Sequence, residues 1–154
     1  MLMLVFAVAD VQYAMPCTHV VEVIPRVDLA VIPHAPKFVV GTLNFRGTPV
    51  PVIDLSLMVG DDPSANRLHT RIIVVNVPLQ GKEPAQFAIV AEKVTETANY
   101  ELEQFIDSGI RVAELPFLAG VMTVDTATWQ LIDLERLAEV IAPVVFASRN
   151  EEKG

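Results

Sequence analysis

The chain is short of most things that chemistry and covalent staples require. It has one cysteine, three histidines, one tryptophan and two tyrosines among 154 residues. A lone Cys17 cannot form an internal disulfide, which points to a reducing compartment. His19, His34 and His69 are scattered, with no His-x-x-x-His or Cys-x-x-Cys spacing, so no metal site is expected. Seven dispersed glycines make no phosphate-cradling loop, and no cofactor is expected. Cations are scarce too. Eleven Lys and Arg against nineteen Asp and Glu leave a net charge of -8. Such a field repels phosphate backbones and excludes nucleic acid as a partner. The apolar start, Met1 to Ala9, ends at Asp10. It is far shorter than the ~20 residues of a membrane span, and it lacks the basic start of a secretory signal. A cytoplasmic protein with no direct membrane insertion is expected.

What is present is apolar. Hydrophobic residues make up 52% of the chain, enough for one domain or two small halves sharing a core. They come in short bursts: Met1–Ala9, Val11–Met15, Val39–Leu43, Pro49–Ile53, Arg71–Val77, Gln86–Ala91, Leu118–Val124 and Trp129–Ile132. Val and Ile dominate them, which favours strands. Many are apolar at consecutive positions, as in strands covered on both faces. Eleven prolines break the chain too often for long helices. Single helical turns are expected near Ala35–Val40 and Leu55–Val59. A longer helix is expected at Leu134–Ile141, capped by Asp133 and closed by Pro143. The fold class is all-β with short helices. No clear tandem repeat stands out, but Val50-Pro-Val-Ile-Asp-Leu55 echoes Trp129-Gln-Leu-Ile-Asp-Leu134, which suggests two similar sub-barrels. The loops Gly60–Asn66 and Pro78–Pro84 read as surface connections, and the charged end as a frayed tail.

Candidate chemistry is thin. Cys17 and His19 share a face if the segment is extended, which would suit a thiolate nucleophile. No third polar group orients the His, and a small buried thiol beside a partly exposed His accounts for them more simply. The carboxylate pairs Asp61–Asp62 and Glu151–Glu152 fall in segments that solvent reaches, where nothing would raise a pKa. The stretch Gly41-Thr-Leu-Asn-Phe-Arg-Gly-Thr-Pro-Val-Pro-Val-Ile-Asp-Leu55 is more informative. A tight reversal at Phe45-Arg46-Gly47 would project Arg46, whose planar fork suits gripping a partner. Glu22 lies among Val21, Val23 and Ile24. Two readings remain open: a Glu22–Arg46 pair, or two independent solvated side chains.

Taken together, Tyr13-x-x-Pro16, Val20-x-Glu22-Val-Ile24, Pro33-x-Ala-Pro36, Gly41-x-x-Asn44-x-Arg46-Gly47 and Pro51-Val-Ile-Asp-Leu55 resemble the CheW-like family of chemosensory coupling proteins. Arg71–Val75, Ala88–Val94, Phe117–Val121 and Leu131–Leu134 continue the likeness. Ala88 and Glu92 depart from the family's usual Gly and Asp, and Phe45 from its usual Leu. The resemblance implies two intertwined five-stranded β-barrels over residues 1–141, with a flexible tail at 142–154. It also implies a non-catalytic adaptor coupling the cytoplasmic tip of a methyl-accepting receptor to the regulatory domain of a CheA-like histidine kinase, at receptor arrays on the inner membrane face. The receptor-binding positions would be Val20, Glu22, Gly41, Asn44, Arg46 and Gly47. Val90–Thr97 and Phe105–Ile110 look like couplers of Wsp-like surface-sensing systems, whose output is cyclic-di-GMP. The alternative from another class is a small β-barrel enzyme or ligand-binding barrel using Cys17 and His19.

Overall fold

The computed structural model describes residues 1–60, 62–107, 109 and 115–145. Ten strands run in chain order: β1 (Leu2–Val8), β2 (Val11–Pro16), β3 (Val20–Pro25), β4 (Val39–Phe45), β5 (Thr48–Ile53), β6 (Arg71–Val77), β7 (Ala85–Ala91), β8 (Lys93–Asn99), β9 (Leu118–Val124) and β10 (Ala127–Ile132). Helix α1 (Leu55–Met58) follows β5 and helix α2 (Leu134–Val145) follows β10.

The strands form two five-stranded sheets, ordered β8-β1-β2-β10-β9 and β3-β6-β7-β5-β4. In each sheet a hairpin from one half of the chain is joined by three strands from the other half. The two sheets correspond strand for strand. β1 pairs antiparallel with β2 and β8 as β6 does with β7 and β3, and the parallel β2–β10 contact matches β7–β5. Each sheet also curls. Ala30, just past the edge strand β3, bridges Thr42 of the opposite edge strand β4, and Ile106, past β8, bridges Val121 of β9. The echo between the two Asp-Leu segments belongs to this repeat. Asp54 N–H donates to the Phe38 carbonyl and Asp133 N–H to the Phe117 carbonyl, both at 2.9 Å.

Alternation along β1 and β6 explains why their apolar residues are consecutive. Met3 and Val5 face the inside of the first barrel, with Ala14, Met122, Trp129 and Leu131. Ile72 and Val74 face the inside of the second, with Leu43, Phe45, Val50, Val52 and Ala88. The residues between them, Leu4, Phe6 and Val8 against Ile73, Val75 and Val77, meet in a third core that joins the barrels and takes in Phe87, Phe117 and α2. Each fully buried Phe, Ile or Leu there contributes about 1.5–3 kcal/mol of transfer free energy.

Several expectations need correction. The segment 35–40 is no helical turn: Val39 N–H donates to the Pro36 carbonyl in an isolated turn, and strand β4 begins at Val39. Pro143 does not close α2, which continues to Val145. A proline this near the end removes the N–H that would meet Glu139, but the chain ahead of it is already helical and its φ suits the helix. Residues 142–145 are therefore helical. The rest of the expected tail, residues 146–154 with the pair Glu151–Glu152, lies outside the described residues, as does Asp61. β8 was absent from the expected strands because Lys93–Asn99 is a mostly exposed, polar edge strand.

Candidate functional site

The β4–β5 connection is a two-residue reversal. Phe45 pairs with Thr48, and both Arg46 (φ 52°) and Gly47 (φ 83°) have positive φ. This is the mirror-image turn whose twist matches the flanking strands. Asn44 Oδ1 accepts the Gly47 N–H at 2.9 Å, fixing the turn from the preceding strand. Phe45 is buried and anchors the strand end, while the Arg46 guanidinium lies 4.7 Å from the centre of its ring. Arg46 is thus held out from the barrel on an aromatic base.

Across the seam stands β3. Residue Val21 is bulged, since Val20 pairs with Val75 and Glu22 with Val74. The bulge turns consecutive side chains outward: Val21 and Val23 are 41% and 37% exposed, and Glu22 is exposed between them. Arg46 Nη2 lies 3.6 Å from Glu22 Oε2. Of the two readings left open by the sequence, the structure adopts the pair. Both side chains are well exposed, so it contributes at most about 1 kcal/mol to stability and acts mainly to orient the guanidinium.

Gly41 shapes the far end of the seam. Its φ is 152°, and an added Cβ would stand 2.7 Å from the Ala30 carbonyl oxygen and 2.8 Å from Leu29 Cβ. Only glycine lets the chain after β3 reach β4 and form the Ala30–Thr42 bridge. Five of the six expected positions gather on one seam, while Val20 packs against the core between the barrels. Glu22, Asn44, Arg46 and Gly47 cluster at the hairpin end, Val20 starts β3, and Gly41 is a buried backbone requirement. Val21 and Val23 were missed as surface residues; the apolar residues on both sides of Glu22 were the available signal.

The repeat supplies a comparison within the chain. In β8, Val94 and Glu96 pair with Phe6 and Val5 around a bulge at Thr95, as Val20 and Glu22 do around Val21. Thr95 and Thr97 thus correspond to Val21 and Val23, Glu96 to Glu22, and Asp125 of the β9–β10 turn to Arg46. The first barrel's seam is polar and carries two acids where the second has an ion pair flanked by valines.

Cys17 and His19 do not form a nucleophile–base pair. Residues 17–19 make a 3-10 turn, not an extended strand, so side chains two apart point in different directions. His19 Nε2 lies 3.9 Å from Glu135 Oε1 of α2. Burial pushes the Cys17 thiol up from its ordinary value, opposite to what a thiolate needs. Among the described residues no three His, Cys, Asp or Glu side chains gather as a metal-holding group. No described helix is long and apolar enough to cross a membrane. Ala88, at a departure from the family pattern, is fully buried opposite Val52 and Val74. Glu92, at the other, accepts the Ala9 N–H at 2.9 Å and ties β7 to the β1–β2 turn.

Fold and site together define a double-barrelled β domain whose distinctive surface is an open seam of valines around one ion pair. The chain belongs to the CheW-like domain family, whose model matches residues 2–142. It is 31% identical over 70 residues to the chemotaxis protein CheW of Helicobacter pylori, a match covering 46% of this chain and 42% of that protein. It is 25% identical over 135 residues to a probable chemotaxis protein CheW of Rhizobium etli, covering 88% of this chain and 85% of the relative. The crystal structure of the scaffolding protein TtCheW from Thermoanaerobacter tengcongensis superposes with a TM-score of 0.79 at 26% identity, over 94% of this chain and 92% of that one.

Proposed function

We propose that this chain is a non-catalytic chemosensory adaptor, working in the cytoplasm at receptor arrays, and that the β3–β4 seam receives the cytoplasmic hairpin tip of a methyl-accepting receptor. The observation that carries the reading is the contrast between two equivalent seams: one presents Val21, Val23 and the Glu22–Arg46 pair, the other Thr95, Thr97, Glu96 and Asp125. An amphipathic receptor helix lays its apolar face along the valines, as in helix-in-groove recognition. Arg46 sets its register through the planar fork, which donates to carboxylate or carbonyl groups of the helix. Asn44 and Gly47 hold the turn that presents Arg46, Val20 starts the strand, and Gly41 lets the chain after β3 approach β4 at the far end of the seam. A CheA-like kinase regulatory domain docks on another face, and differential docking of ~1–3 kcal/mol is enough to shift kinase activity.

The test is Arg46→Glu, which places a second carboxylate beside Glu22 on an exposed turn. Circular dichroism should show an unchanged fold, and pull-down with a receptor cytoplasmic fragment should show lost binding. Unchanged binding by a folded variant removes the seam as the receptor surface.

A further inference from the structure

The two barrels differ at one end as well as along the seam, and the difference is one of volume. In the first barrel the end is filled by rings. Phe105 is buried beside Met3 and Trp129, and Tyr100 meets Trp129 edge to face with centroids 5.3 Å apart. The register places Leu29, Arg26 and Val50 at the corresponding positions of the second barrel. Leu29 and Phe105 hold the same place against Gly41 and Gly120. Three aromatic side chains are thus replaced by two aliphatic ones and a cation that extends to the rim.

A cavity of about 470 Å³ occupies that end of the second barrel. Leu29, Val40, Ile72 and Val90 form its apolar wall. Opposite them is Asp54, which is only 2% exposed. Its carboxylate accepts from Ser56 N–H at 3.0 Å, Ser64 N–H at 2.8 Å and Ser64 Oγ at 2.6 Å. All three donors are neutral groups, and Asp54 forms no ion pair among the described residues. The two Ser64 bonds draw the strap of residues 63–66 across the cavity as its third wall.

We infer that this open barrel end binds a small aromatic amine, its ring taking the space that Phe105 and Tyr100 fill in the other barrel and its ammonium meeting Asp54. The volume lies in the range of small-molecule pockets, whose usual make-up is an apolar wall with a few placed polar groups; here the buried Asp54 is joined in the lining by the exposed Arg26 and Asp28. A buried carboxylate held only by neutral donors keeps acceptor capacity and favours a cation over a neutral or anionic head. The site adjoins the far end of the receptor seam, where Leu29 lies against Gly41, but it needs neither Arg46 nor Val21.

Phenethylamine is the probe, with 3-phenylpropanoate as the anionic control, titrated into methyl-labelled protein. Saturable shifts are expected at the Leu29, Val40, Ile72 and Val90 methyl groups with the amine, and shifts at least about tenfold weaker in apparent affinity with the carboxylate. Leu29→Phe, which rebuilds the plug of the first barrel, should weaken amine binding by about tenfold or more. If that variant does not fold, Val90→Leu fills the same space from another point of the apolar wall. Absence of saturable shifts, equal or tighter binding of the carboxylate, or amine binding unaffected by a folded filling variant each overturns the inference. None of these results depends on whether the receptor binds the seam.

Discussion

Arg46 and Asp125 stand at the same position of two equivalent hairpin turns, with nearly the same backbone, φ 52° and φ 54°, and opposite charge. One backbone plan therefore serves two surfaces. Arg46 meets an acid of opposite charge, Glu22, across its seam, whereas Asp125 stands opposite the strand that carries Glu96, a like charge.

The pair itself contributes little to folding. A double-mutant cycle with Glu22→Gln and Arg46→Gln, read by chemical denaturation, should give a coupling energy below about 1 kcal/mol, because both side chains are well exposed. A coupling of several kcal/mol would show that the seam is stapled by charge instead of by the Ala30–Thr42 bridge.

Glycine substitutions should separate the two ends of the seam. Gly41→Ala puts a methyl against the Ala30 carbonyl at a positive φ and should cost about 2–3 kcal/mol. Gly47→Ala meets nothing within 4 Å and bears only the left-handed backbone cost, about 1–2 kcal/mol. Thermal or urea melts of both variants check the ordering.

Changing Val21 and Val23 to Thr copies the first barrel's seam onto the second. Both residues are exposed and Thr keeps the β-branched shape, so stability should move by less than about 0.5 kcal/mol. Receptor pull-down should fall sharply. A variant that binds as well as the parent would show that the valines are not the apolar contact.

Cys17 gives a pH-dependent readout. Burial raises its thiol pKa, so the folded chain keeps the proton at pH values where the unfolded chain has begun to release it. The contribution is intact below the free thiol's value and is lost as pH rises through the folded one. Cys17→Ser should flatten that alkaline decline, and iodoacetamide should label the native chain more slowly than a cysteine peptide at neutral pH.

Much of this molecule could be read from its residues, and the exceptions share a cause. β1, β6 and β7 are conspicuous because both of their faces are buried, which makes long apolar runs. β8 left no such mark, since Lys93, Glu96 and Asn99 lie on a mostly exposed edge. The turn at Arg46 and Gly47 is local and legible; the contact with Glu22 joins strands at opposite edges of a sheet, so only curling brings it about. The alternative that paired Cys17 with His19 depended on a strand where a 3-10 turn stands.

The exchange of strands between the two halves bears on how the molecule comes off the ribosome. The sheet made of β3 to β7 is complete once residue 91 has emerged, but β1 and β2 must wait for strands that end at residue 132. Until then their apolar hairpin has no permanent neighbour on one edge, a period of aggregation risk that chaperones exist to cover. Cutting the coding sequence midway would leave neither product with a full set of strands, so the two cylinders are inherited, made and lost together.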